Sequence, residues 1–409
     1  MLKKVFFCLF TAVLCGSSLY AAPGKIIEIR KKASLNPSVY FAGDAVSPAV
    51  AASMRTFLGV CGWFEPVNSP EKADYSVIAE NAPGSTVIIR LIQGKSQIAA
   101  WRFRSGIAPR ELAKSAVDAI IERAFEQLEV SGFCRSRIAF GVETAPGVRN
   151  IFICDIDGGN VEQLTRYRTL NVEPCWSANA KSIFFSKYNS SGIDVIETTV
   201  ASPRRSRLIS AARGLNTGAA VSPDGSELAL IMSFDRKVDL YILGLTKRFR
   251  RRLTSGIAVE ASPCWSPDGK KLAFVSDRTG SPRIYVCNRD GSQLQRLPTI
   301  GADAVTPAWS KNNKIAYATR INGAYTIAVY DMKTGENRQI ITAPGNWESP
   351  EWAADNRQIV CKRGSGSDSA LFVVDTKTGN QRILLKTGSR LFDPAWSPCQ
   401  KRFTAAGRN

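Results

Sequence analysis

One phrase recurs six times along the last two thirds of the chain, and its spacing leaves little freedom in the fold. In its fullest form, at residues 263–269, it reads Pro-Cys-Trp-Ser-Pro-Asp-Gly. Its central column falls at Trp176, Val221, Trp265, Trp309, Trp352 and Trp396, in steps of 45, 44, 44, 43 and 44 residues. A fixed period in this range marks a repeat architecture, in which each unit buries its apolar face only by stacking on its neighbours. Short β-branched and aromatic runs follow each copy, at 183–185, 228–230, 272–274, 315–317 and 359–361. A further set lies at 152–155, 240–242, 284–286, 327–329 and 371–373. Turns at Asp157-Gly158, Asp290-Gly291, Thr334-Gly335 and Thr378-Gly379 lead into short final strands. Each unit is therefore a four-stranded antiparallel meander, the blade of a β-propeller, and six phrases imply six blades.

The ends of the repeat imply ring closure. Strand-like runs at 137–140, 150–155 and 161–165 lack a preceding Trp strand, and residues 393–397 supply one. One blade is thus expected to draw on both ends of the propeller. Residues 401–405 repeat the run at Ile138 and read as a surplus tail or an extra edge.

Residues 45–133 have a different pattern. Ser47 and Pro48 open a helix whose apolar face carries Val50, Met54, Phe57 and Leu58. Strand-like runs follow at 74–80, 85–93 and 97–104. A second helix is expected over 109–129, with Leu112, Ala116, Ala119, Ile120, Ala124 and Leu128 as its stripe. The expected fold class is multidomain: a small N-terminal α/β domain followed by an all-β six-bladed β-propeller. Residues 1–21 read as a signal peptide, with Lys3 and Lys4 before an apolar run at 5–14 and cleavage after Ala21. Cys15 is an alternative lipid acceptor, against which stands the bulk of Leu14. Residues 22–133 form the N-terminal arm and α/β domain, and 134–409 the propeller with its tail. The mature chain is expected to be soluble and exported.

Histidine is absent, which removes Ser-His-Asp and Cys-His catalysis and every imidazole metal site. Gly364-Ser365-Gly366-Ser367-Asp368 lacks the register of a nucleophile elbow and reads as a hairpin turn. Cys61, Cys134, Cys154, Cys175, Cys264, Cys287, Cys361 and Cys399 remain after the leader, with no CxxC among them. Buried free thiols fit this pattern better than a zinc site; Cys61 with Cys134 is the one pair considered for a disulfide. The 54 Lys and Arg against 35 Asp and Glu suggest an anionic partner or surface, nucleic acid being set aside for an exported chain. The densest basic run, KRFRRR at 247–252, also fits protection of a strand edge.

Within the repeat, Asp268 and Lys270 could be read as an acid and its partner. Turn chemistry explains them better: Pro presets φ, Asp bonds its own backbone and Gly takes positive φ. No catalytic, cofactor or metal residues are assigned. Interest moves to the loops leading into the innermost strands. Three residues before each central column stand Glu173, Gly218, Ser262, Thr306, Ser349 and Asp393, expected to open those strands as a polar ring at one channel mouth. Just upstream lie Leu215, Asn216, Glu260, Asp303, Trp347 and Phe392, expected as exposed polar and apolar groups.

The leader, the α/β domain, the junction Phe133-Cys134-Arg135-Ser136-Arg137-Ile138-Ala139-Phe140 and the six repeats together resemble the TolB family. The resemblance covers nearly the whole mature chain. It implies a monomeric, non-enzymatic periplasmic adaptor without cofactors, binding the Pal lipoprotein and TolA close to outer membrane and peptidoglycan. Its role would be outer-membrane integrity and envelope constriction at division. By position, the resemblance places Pal contacts at Leu215, Asn216, Thr217, Glu260, Ala261, Ser262, Asp303, Thr306, Trp347, Ser349 and Asp393. It places the TolA-binding arm in residues 22–33, with Lys25 and Arg30. Family members often offer a histidine at the Pal face; this chain has none. Reversing the charges of Glu260 and Asp303 is expected to weaken Pal capture without unfolding the propeller. The alternative is an exported propeller enzyme or ligand-binding protein working through channel carboxylates, for example with calcium.

Overall fold

The structure is a computed structural model that describes residues 36–104, 106–234 and 237–399. The leader, Lys25, Arg30 and the 401–405 run lie outside the described residues.

The N-terminal unit is a five-stranded sheet with two helices. Its strands are β1 (Ser38–Ala45), β2 (Glu65–Val67), β3 (Tyr75–Ala82), β4 (Thr86–Gln93) and β5 (Ser96–Arg104), in the order β2-β1-β3-β4-β5. Helix α1 (Pro48–Val60) starts as expected, Ser47 Oγ accepting a hydrogen bond from the Val50 N–H at 3.4 Å with Pro48 in the first turn. Val50, Met54, Phe57 and Leu58 are buried. The expectation missed β1, which pairs in parallel with β3 and β2. Its SVYFAGDA carries a Gly and an Asp that dilute the strand signal.

Helix α2 (Pro109–Ala124) stops short of residue 129. Phe125 leaves helical geometry at φ −119° and its ring packs on Trp63 and Phe64, with centroids at 4.7 and 5.3 Å. This aromatic contact ends the helix and leaves Leu128, expected in the apolar stripe, exposed.

The propeller comprises six four-stranded sheets. The innermost strands are Leu391–Trp396 in blade 1, then Asn171–Trp176, Asn216–Val221, Glu260–Trp265, Val305–Trp309 and Trp347–Trp352 in blades 2 to 6. Blade 1 joins Leu391–Trp396 to Arg137–Ala145, so the last strand closes the ring beside the first. Tryptophans stitch neighbouring blades: the indole N–H groups of Trp176, Trp265 and Trp352 donate to the carbonyls of Ala395, Ala220 and Ala308 at 2.9–3.0 Å. The Ser-Pro-Asp-Gly segments form corners. Ser266 Oγ donates to Asp268 at 2.6 Å and accepts from the Lys271 N–H at 2.8 Å, while Asp268 also accepts from the Lys270 N–H. Ser222 with Asp224 and Ser310 with Asn312 repeat the arrangement.

One continuous core joins the N-terminal unit to blades 1 and 6, from Phe57 and Ile120 through Phe133 and Cys134 to Val360 and Trp396. The eight cysteines of the described region are free thiols, Cys61 and Cys134 included. At the fifth copy of the corner, in blade 6, Asp355 accepts from the Trp63 indole N–H at 3.0 Å, and Arg357 lies over the Trp63 ring while pairing with Asp375. The repeat's turn acid thus fastens the two units together. No helix among the described residues is long and apolar enough to cross a membrane.

Candidate functional site: the channel mouth and its basic rim

The six residues expected to open the innermost strands lie inside them instead. Each takes left-handed backbone geometry: Glu173 φ 54°, Gly218 63°, Ser262 47°, Thr306 48°, Ser349 52° and Asp393 44°. At each, the register with the second strand slips, between Thr217 and Ala220 or Ala261 and Cys264, for example. These are β-bulges repeated around the ring, and a bulge re-aims the side chains that follow it. Five of the six are L-residues, for which this geometry costs about 1–2 kcal/mol each. No periodicity of residue type announces such a conformation.

The upstream residues were expected to be exposed, and most are not. Glu260 is 2% and Asp303 3% exposed, while Asn216 and Trp347 are fully buried. Thr217 is buried; Leu215, Ala261, Ser262, Thr306, Ser349 and Asp393 are partly covered. The cause is internal pairing. Glu260 binds Arg278 at 2.6 Å, Asp303 binds Arg320 at 3.1 Å and accepts from Tyr325 Oη at 3.0 Å, and Glu348 binds Lys362 at 2.9 Å. Asp393 lies 3.6 Å from Arg149, whose guanidinium stacks 3.3 Å from the Phe392 ring centroid. Asn216 is held by Ser210 and by the carbonyls of Ile193 and Ala212. Trp347 donates to the Ala343 carbonyl beneath Arg363.

The sign of the surface therefore inverts. The acids act as internal anchors, and the more exposed partners of Glu260 and Asp303 are the guanidinium groups of Arg278 and Arg320. Reversing Glu260 and Asp303 would bury lysines against their arginine partners, so the expectation of an intact propeller is replaced by one of destabilisation. The bases went unread because Arg278 and Arg320 end or follow second strands, where no turn phrase draws attention; their 42-residue separation was the available signal. Sequence reasoning also missed Ile257, a fully exposed apolar side chain in the loop leading to Glu260.

Below the mouth, Glu173 accepts from Ser186, Thr217 and the Gly218 N–H. Burial raises its carboxyl pKa, opposed by the hydrogen bond from Thr217. One position before the central column, Glu351 is pushed up to about 8 by burial, with only the Trp352 N–H to favour its anion. Its charge in turn adds to the burial that raises the thiols of Cys175 and Cys264, on two other blades. No three His, Cys, Asp or Glu side chains among the described residues converge to hold a metal ion.

The fold class is thus a closed six-bladed β-propeller bearing a small α/β unit, its channel mouth ringed by bulges. The family model for the TolB beta propeller domain matches residues 125–400, and the chain belongs to the TolB family. It is 32% identical over 123 residues to the Tol-Pal system protein TolB of Desulfosudis oleivorans, a match covering 30% of this chain and 27% of the relative. It is 31% identical over 160 residues to the protein of that name from Anaeromyxobacter dehalogenans, covering 39% and 36%. The matched stretches thus span about a third of these relatives' length. Among solved structures, TolB from Acinetobacter baumannii superposes with a TM-score of 0.79 at 21% identity, over 91% of this chain and 99% of that one. This likeness concerns the fold, N-terminal unit included. Kuenenia stuttgartiensis hydrazine synthase is similar in fold at a TM-score of 0.53 and 13% identity, over 66% of this chain and 48% of its own.

Proposed function

We propose that this chain is a non-enzymatic periplasmic adaptor of a Tol-Pal envelope system. Its channel-mouth face grips the Pal lipoprotein and its N-terminal arm engages TolA, supporting outer-membrane integrity and constriction at division. The observation that carries the reading is the built face itself, where buried acids hold Arg278 and Arg320 and the loop leading to Glu260 carries the exposed Ile257. Fixed charges around an exposed apolar anchor are what a specific protein interface requires. On this reading the contacts come from Ile257 and the basic tips, with Ala261, Ser262 and Ser349 at the mouth, while Glu260 and Asp303 act as positioning residues. A channel activity would have to use Glu173, Glu351 or Asp393. Glu173 is occupied by three hydrogen bonds and Asp393 by Arg149, which favours the adaptor.

The test is affinity capture from envelope extract with the tagged mature chain, alongside a form lacking residues 22–33. The proposal expects Pal with both forms and TolA with the full form only. Absence of Pal from both captures would overturn it.

A further inference from the structure

The propeller rim departs from repetition at one place. The outermost strands of blades 1, 3, 4, 5 and 6 run two, three, two, three and five residues, whereas that of blade 2, Ser202–Ser210, runs nine. It is the edge of its sheet, and residues 204–208 are exposed in succession. Beside it, the end of the third strand of blade 3 and the turn after it complete a groove of about 620 Å³. The floor is apolar: Ile209, Leu243 and Leu245 pack on the core around Leu228 and Tyr241. Leu208, 56% exposed, and Phe249, 41% exposed, stand in its walls.

The two segments that flank this groove carry charge of one sign. Residues 202–210 and 247–252 together carry eight Arg or Lys and no acid. Glu197 takes Arg207 and Asp239 takes Arg252. Arg204, Arg205, Lys247 and Arg248 have no side-chain partner among the described residues. Edge protection accounts for bases on an exposed strand. It does not account for two large apolar side chains left in water among them, beside the longest outer strand of the ring.

We propose that this groove docks an extended acidic polypeptide segment in which apolar and acidic side chains alternate. An extended chain presents successive side chains to opposite faces, so one set reaches the apolar floor and the other the arginine rim. A bilayer would instead be met by protruding apolar groups, and here they line a recess. The groove lies where third strands end, at the opposite end of the blades from Ile257. It therefore leaves the channel mouth free for a separate partner.

The experiment is fluorescence anisotropy of the mature protein with a labelled ten-residue peptide alternating Leu and Glu. An all-Glu peptide of the same length and phosphatidylglycerol vesicles are the comparators. The alternating peptide is expected to bind. The triple variant Arg204→Glu, Arg205→Glu, Arg248→Glu and the double variant Leu208→Ser, Phe249→Ser should each weaken binding about tenfold. All five side chains are exposed, so thermal melting should be unchanged. Equal binding of the all-Glu peptide, indifference to the Ser variant, preference for vesicles, or no binding of the alternating peptide would each overturn the proposal.

Discussion

Glu351 shows how much one residue's setting can depart from its appearance in the chain. It occupies an innermost-strand position that is Ala or Cys in the other blades, and its carboxyl stays neutral up to about pH 8. The unfolded chain would ionise it near 4.5, so between these values the folded state holds the extra proton. Stability from the neutral acid is therefore complete below pH 4.5 and is lost as pH rises to about 8. Glu351→Gln should melt close to the parent at pH 4 and above it at pH 9; a constant difference across that range would contradict this. The repeat phrase itself was fully legible at this scale. Ser266, Asp268 and the tryptophans occupy the corner and packing roles that turn chemistry and period assign them. Asp355 was legible only as a corner residue, because its bond to Trp63 joins positions 292 apart.

At the scale of the element, strand positions followed from the alternation of apolar runs, whereas the bulges did not. Left-handed geometry at Ser262, Thr306, Ser349 and Asp393 is imposed by ring packing, against residue preference. Thr306 is the most strained, being β-branched, and its buried hydroxyl has no hydrogen-bond partner among the described residues. Thr306→Gly should raise stability by about 1 kcal/mol, or about 2–4 °C in Tm; a lowered Tm would count against the strain. The ion pairs of the mouth were hidden for a related reason, since a carboxylate at a strand's start reads as exposed until the opposite strand is placed. Glu260→Lys should cost about 3 kcal/mol by leaving Arg278 beside a like charge. Denaturant unfolding checks it, and a loss under 1 kcal/mol would return Glu260 to the surface.

Across the whole molecule, six-fold repetition and closure by the last strand were legible because period and missing strand are counted directly. How the N-terminal unit sits on the propeller was not, because its contacts on blade 6, Trp63 to Asp355, Cys61 to Gln358 and Asn36 to Arg357, follow no repeat. Asp355→Ala should weaken this joint by about 2–3 kcal/mol and separate two calorimetric transitions, where one joint transition with unchanged Tm would show the joint rests elsewhere. On the proposed function, the channel-mouth face captures Pal through Ile257 and the bases held by Glu260 and Asp303. Isothermal titration of the organism's Pal against the parent protein and Ile257→Asp tests it most directly. The variant should lose about tenfold or more in affinity with an unchanged melting temperature. Equal affinity for the two proteins, or no binding by the parent, would contradict it.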